Sequence, residues 1–189
     1  MSSLYSIGHG NKDIDEFINE LISFNIAYLV DIRSNPYSKW NPSFNQTPLE
    51  IILNRHNIRY VYMGNELGGL PKDSTCYTNG HVDYEKISKK DFFIHGLNRL
   101  LVANNKQIRL AIMCSESDPK LCHRSKLIGQ ELLKKGITLN HIIGISQALS
   151  QIEVINTLTK GNGCFNLFGE ETFLSRKSIN NENIYNRSL

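Results

Sequence analysis

The chain has 189 residues, 40% of them hydrophobic and 21% charged, a size and balance that suit one globular domain built round one core. Lys plus Arg is 21 and Asp plus Glu 18, for a net charge of +3, which is too small to demand a polyanionic partner. No run approaches the roughly 18 apolar residues of a membrane span, and residues 1–10 lack the basic-then-apolar order of a secretory signal. The expected location is therefore cytoplasmic, with no membrane partner.

Residues 4–7 form a short apolar run that ends at Gly8-His9-Gly10, the pattern of a buried strand entering a tight turn. A helix is predicted next, opened by Asp13 with Glu16 three residues on as a capping box. Its buried face comes from Ile14, Phe17, Ile18, Leu21 and Ile22 at helical spacing. Residues 28–32 (YLVDI) read as a strand covered on both faces. Residues 34–46 hold two prolines and three asparagines and are predicted as a loop. Thr47, Pro48 and Glu50 then mark a helix start, and 59–63 a third strand. The glycine-rich stretch 64–90 is expected to be a lid or insert, because a connection that long is usually functional or disordered. Helix resumes over 91–101, a fourth strand spans 108–113, and Asp118-Pro119 caps a helix that runs to the Gly136 stop. A fifth strand is placed at 138–143 and a last helix at 146–158. Residues 161–189 are rich in Asn, Ser and Glu and read as a tail.

Alternation of strand and helix predicts an α/β fold. It is a single three-layer, Rossmann-like domain over 1–160, with a mainly parallel five-stranded sheet, helices on both faces, and the C-terminal tail. In such sheets ligands bind at the carboxyl edge of the strands. The unusual polar residues of this chain fall there.

His9 sits in a strand-to-helix turn between glycines, where an imidazole can move protons near neutral pH. Asp31 and Arg33, two apart on one strand, point to the same side; they either pair or face the crevice as base and anion clamp. Glu66 and Glu116 add carboxylates, unless simply solvated. Cys114 closes a strand, as a packing residue or a substrate contact. Cys122, placed in a first helical turn beside His123 and Arg124, has surroundings that favour thiolate, the alternative being that it faces the core beside Leu121 and Ile128. Arg124 and His123 suit anion binding at a helix start. His9, Asp31, Glu116 and Cys122 are thus the catalytic candidates. Arg33, Glu66, Cys114, His123 and Arg124 are the candidates for binding an anion or substrate.

Tyr37, Lys39 and Trp40, with Phe44, interleave aromatic and basic character in a manner that could stack nucleic-acid bases, and Arg55 and Arg59 could extend that surface. The plainer alternative is that Trp40 and Phe44 pin the loop to the domain. The glycines near His9 do not complete a dinucleotide fingerprint. Four cysteines, at 76, 114, 122 and 164, include no Cys-x-x-Cys pair. No cofactor is expected. A metal set such as His9, Asp31, Cys122 and His123 is allowed by composition, but no spacing recommends it, and no metal ligand is assigned.

The pieces SIGHGN, VDIRSNPYS, Asn41-Pro42 with Phe44, Arg59-Tyr60, Glu66-Leu67-Gly68-Gly69 and MCSESDPKLCHRS together resemble the bacterial and archaeal domain-of-unknown-function family DUF488, over about residues 4–145. The resemblance implies a fold and a site but no reaction. Gly10 stands where many members of that family carry serine, which removes a hydroxyl from that turn. The functional expectation is a hydrolase or group transferase acting on an anionic, phosphorylated or nucleotide-like substrate at the carboxyl edge of the sheet. The alternative is a non-catalytic nucleic-acid-binding or adaptor module.

Overall fold

A computed structural model describes residues 2–158 and a strand at Leu174–Ser178. The five expected strands all form: β1 (Leu4–Gly8), β2 (Tyr28–Asp31), β3 (Arg59–Tyr62), β6 (Leu110–Cys114) and β7 (Asn140–Gly144). They pair in parallel in the order β3-β2-β6-β1-β7. A sixth strand, β8 (Gln147–Ser150), folds back antiparallel on β7 through Ser146, whose φ is 55°. Residues 146–150 thus leave the predicted last helix, and α7 begins only at Gln151 (Gln151–Leu158). Edge pairing along β7 overrides helical periodicity in this short stretch.

Alternation along each strand divides the core between the two faces. Leu29, Ala111, Met113 and Ile142 point to one side and pack on α1 (Ile14–Ser23) and α2 (Gln46–Arg55) through Phe17, Leu21, Leu49 and Leu53. Val30, Leu110, Ile112 and Cys114 point to the other, against Phe93, Leu97 and Leu100 of α5 (Asp91–Asn105) and against Leu127, Ile128 and Leu132. The Asp13 carboxylate caps α1 by accepting the Glu16 N–H at 2.7 Å. For α2 the cap position falls at Asn45, two residues before the expected Thr47.

The stretch 64–90 is folded. It holds α3 (Gly64–Leu67), a short hairpin of β4 (Tyr77–Thr78) and β5 (His81–Asp83), and α4 (Tyr84–Ser88). Leu67, Cys76, Val82, Tyr84 and Ile87 from this segment enter the core beside α5, so its position is fixed by burial. The strand Leu174–Ser178, β9, pairs with β5; the rest of the expected tail lies outside the described residues. No helix among the described residues is long and apolar enough to cross a membrane.

The predicted continuous helix from Asp118 to Gly136 is instead three pieces. A 3-10 turn at Pro119–Leu121 is capped by Asp118, Cys122 is extended with ψ 148°, and Arg124–Gly129 winds as a π-helix before α6 (Gln130–Leu133). Tertiary bonds account for the wide turn. The Gln151 amide donates to the Ser125 carbonyl at 3.0 Å, and a Cβ on Gly129 would run into that amide. Such single wide turns are commonly found where a side chain takes over backbone partners.

Gln151 also belongs to a buried relay. His141 Nε2–H donates to Gln151 Oε1 at 2.7 Å, and the Ser6 hydroxyl donates to His141 Nδ1 at 2.6 Å. This ties β1, β7 and α7 to the π-helix through a neutral imidazole. Burial, with the Arg124 cation as a smaller contributor, lowers the His141 pKa to about 4. Above pH 6.5 the ring is neutral folded or unfolded; between 6.5 and about 4 only the unfolded chain takes the proton. Stability should therefore fall as pH drops through that window, by on the order of 3 kcal/mol from this group. Urea unfolding at pH 7.5, 5.5 and 4.5 should show a drop that His141→Gln flattens; identical slopes in the two proteins would contradict it.

Candidate functional site

The chain travels from β1 to β2 to β3 in one direction and returns through β6 to β7 in the other. α1 and α2 consequently cover one face, and α5 and the π-helix the other. At the carboxyl ends of β1 and β6 the connections depart to opposite faces, the position at which parallel sheets commonly bind ligands. The two strands stay bonded past their ends, His9 N–H to the Cys114 carbonyl at 3.1 Å and Gly10 N–H to that of Ser115 at 3.0 Å. A Cβ on Gly8 would collide with the Glu116 carbonyl, so glycine is required for this close approach.

On the α2 side lies a buried group built round Asp31, which is 0% exposed. Arg33 Nε lies 2.9 Å from Oδ1 and NH2 2.6 Å from Oδ2 of Asp31, and NH2 also donates to the Phe44 carbonyl at 2.7 Å. The Tyr60 hydroxyl donates to Asp31 Oδ2 at 2.7 Å. Burial and the facing carboxylate push the Tyr60 phenol far above its ordinary pKa, so it stays a donor. The fork engagement of Arg33 leaves NH1 directed at His9 Nε2, 3.5 Å away. His9 stacks on Phe44 with ring centroids 4.5 Å apart. Its Nδ1 donates to the Gly10 carbonyl at 3.0 Å, which leaves the lone pair on Nε2. Burial first, then the Arg33 cation, lowers the His9 pKa and keeps the ring neutral.

A second group lies on the opposite face, below Cys114. The Cys114 and Cys122 sulfurs stand 3.8 and 3.6 Å from His123 Nδ1, while His123 Nε2–H donates to the Leu67 carbonyl at 3.1 Å. All three side chains are buried, and their Sγ and Nδ1 atoms fall within 4.8 Å of one another. Burial pushes the Cys122 thiol up, and its hydrogen bond to Cys114 brings Cys114 down. These three could hold a metal. The set differs from the one composition allowed: Cys122 and His123 remain, but Cys114 replaces His9 and Asp31, which are engaged on the other face.

Arg124 is fully buried, with NH1 and NH2 donating to the Glu116 and Ser117 carbonyls at 2.5 and 2.7 Å. Because Cys122 is extended and His123 precedes the π-helix, neither stands in the first helical turn expected of them. Glu66 pairs with Arg99 on α5 at 2.9 Å. Glu116 is half-buried on the β6 loop. Tyr37 and Lys39 are exposed, as are Arg55 and Arg59, and Trp40 is 96% exposed. Phe44 pins the loop as expected; Trp40 does not. Tyr60 and the Leu67 carbonyl were missed by sequence reasoning. Alternation on β3 offered a signal for Tyr60, whereas nothing local marks a backbone carbonyl.

The family model for a domain of unknown function, DUF488, matches residues 13–130. No curated protein matches the chain, and no solved structure does.

Removing the Asp31 charge would leave the Arg33 guanidinium buried without a counterion. Asp31→Asn should cost about 3 to 5 kcal/mol, while Tyr60→Phe, which deletes one bond to that carboxylate, should cost about 1 to 2 kcal/mol. Chemical denaturation of both variants checks the order; equal losses would mean the ion pair is not the anchor.

Proposed function

The chain belongs to the DUF488 family, whose activity has no assignment, and on its own geometry we propose that it is a hydrolase or group transferase acting on an anionic, phosphorylated or nucleotide-like substrate. The observation that carries this reading is the meeting of a neutral His9 Nε2 with the free edge of the Arg33 guanidinium at the carboxyl edge of the sheet.

In this reading an anionic oxygen of the substrate displaces the long 3.5 Å contact and bonds to Arg33 NH1. His9 Nε2 then accepts the proton of the attacking water or hydroxyl and returns it to the leaving group. Asp31 is a positioning residue, since its oxygens are taken by Arg33 and Tyr60. Arg124, beside Gly8, adds positive potential without direct contact, because its NH1 and NH2 are spent on carbonyls. A nucleophilic Cys122 fits poorly here: the thiol is buried and its pKa raised.

A panel of nucleoside mono-, di- and triphosphates, sugar phosphates and p-nitrophenyl phosphate tests the reading by phosphate release and by calorimetric binding. At least one member should be bound and turned over. His9→Asn should lower kcat by about 10² to 10⁴ with little change in the unfolding midpoint. Absence of both binding and turnover across the panel, or undiminished turnover in His9→Asn, rejects it.

A second reading rests on Trp40. An indole 96% exposed, four residues before the Phe44 that stacks on His9, is a platform for a base of a single strand. Trp40→Ala should weaken oligonucleotide binding by about 1 to 3 kcal/mol, with an affinity that falls steeply as salt rises. Fluorescence anisotropy at two salt concentrations would remove this reading if affinity is salt-insensitive or unchanged by the substitution.

A further inference from the structure

We infer that Cys114, Cys122 and His123 form a site for a thiophilic divalent cation, zinc in the first instance, lying on the face of the sheet opposite His9 and independent of the reaction proposed there. The separations argue for it first. A tetrahedral zinc with Zn–S near 2.3 Å and Zn–N near 2.05 Å sets sulfur and nitrogen ligands about 3.6 Å apart. The two sulfurs stand 3.8 and 3.6 Å from His123 Nδ1, so one ion could reach both sulfurs and the ring with little movement.

The outer partners argue for it second. His123 donates Nε2–H to the Leu67 carbonyl at 3.1 Å, which fixes the tautomer and aims the Nδ1 lone pair at the thiols. A backbone carbonyl on the far nitrogen is the usual support of a ligating histidine. The Arg124 backbone N–H reaches Cys122 Sγ at 3.5 Å, and the Glu116 backbone donates to Cys114. N–H donors of this kind stabilise the thiolates that a metal needs. Gly69 carries no side chain where a Cβ would crowd His123 Nδ1 at 2.8 Å.

Charge argues third. All three ligands are buried, and a divalent cation with two thiolates is neutral, so the filled site carries no net charge into the core. On binding, the thiol protons leave to solvent and each sulfur donates an electron pair to the ion; no oxidant or reductant is involved. Three protein ligands leave a fourth position for water or another donor.

The trio sits where three elements meet, the end of β6, the bend before the π-helix and α3 through the Leu67 carbonyl. Occupancy would therefore cross-link the insert to the sheet, and the ion would add to stability by binding only the folded chain.

Purified full-length protein, stripped with chelator under reducing conditions, is titrated with Co²⁺ and then Zn²⁺. One equivalent of Co²⁺ should give the intense sulfur-to-cobalt band and the visible pattern of a tetrahedral ion, both erased by Zn²⁺, with a raised unfolding midpoint. Cys76→Ser should leave these signals intact, whereas Cys114→Ser and His123→Gln should each weaken binding at least tenfold. The wild-type spectrum decides the matter even if the latter two variants misfold. A wild-type protein that takes up no stoichiometric metal overturns the proposal. So does one whose Cys114 and Cys122 are recovered as a disulfide without metal affinity, or binding that survives in folded Cys114→Ser.

Discussion

A carboxylate with no exposed surface holds the carboxyl edge of this sheet together. Asp31 closes β2 and is engaged by Arg33 through two nitrogens of the guanidinium and by the Tyr60 hydroxyl, while the same guanidinium reaches the Phe44 carbonyl. A buried ion pair is tolerable only when its remaining lone pairs and protons find partners, and here the partners come from β3 and from the loop after β2. The pair thereby fixes the loop that presents Phe44, Phe44 fixes the His9 ring, and the imidazole is left with one free nitrogen facing a cation.

The edge carries two buried polar clusters rather than one. Strand alternation sends Asp31 and its partners toward α2 and sends Cys114 toward α5 and the π-helix. His9 and Cys114 are joined through backbone, yet their side chains serve different groups. A guanidinium edge beside an imidazole lone pair is matched to anionic groups, and paired thiols with an oriented imidazole are matched to soft cations.

The π-helix explains how a segment read as ordinary helix gives an unusual site. Breaking the helix at Cys122 turns the sulfur back toward Cys114, and winding the next turn wide lets Gln151 take the Ser125 carbonyl and lock His141 against Ser6. A regular helix from Asp118 would have carried Cys122 and His123 on a first turn open to solvent or core, without bringing both to Cys114.

The amino-acid pattern was enough to determine the α/β class, the five parallel strands within one or two residues at most ends, the Asp13 cap and the carboxyl edge as the place where polar residues gather, because these follow from local periodicity and capping. It also held the DUF488 resemblance in its motifs. Only tertiary structure decided that residues 147–150 pair as an edge strand, that the helix after Pro119 breaks and widens, that Trp40 stands in solvent while Phe44 is buried, and that the polar residues gathered at that edge divide into two clusters. The reason is range: a strand or a cap is set by neighbours within about one turn, whereas the side to which a buried polar group is drawn depends on partners such as Tyr60, Leu67 and Gln151 that are distant along the chain and are brought close only by packing.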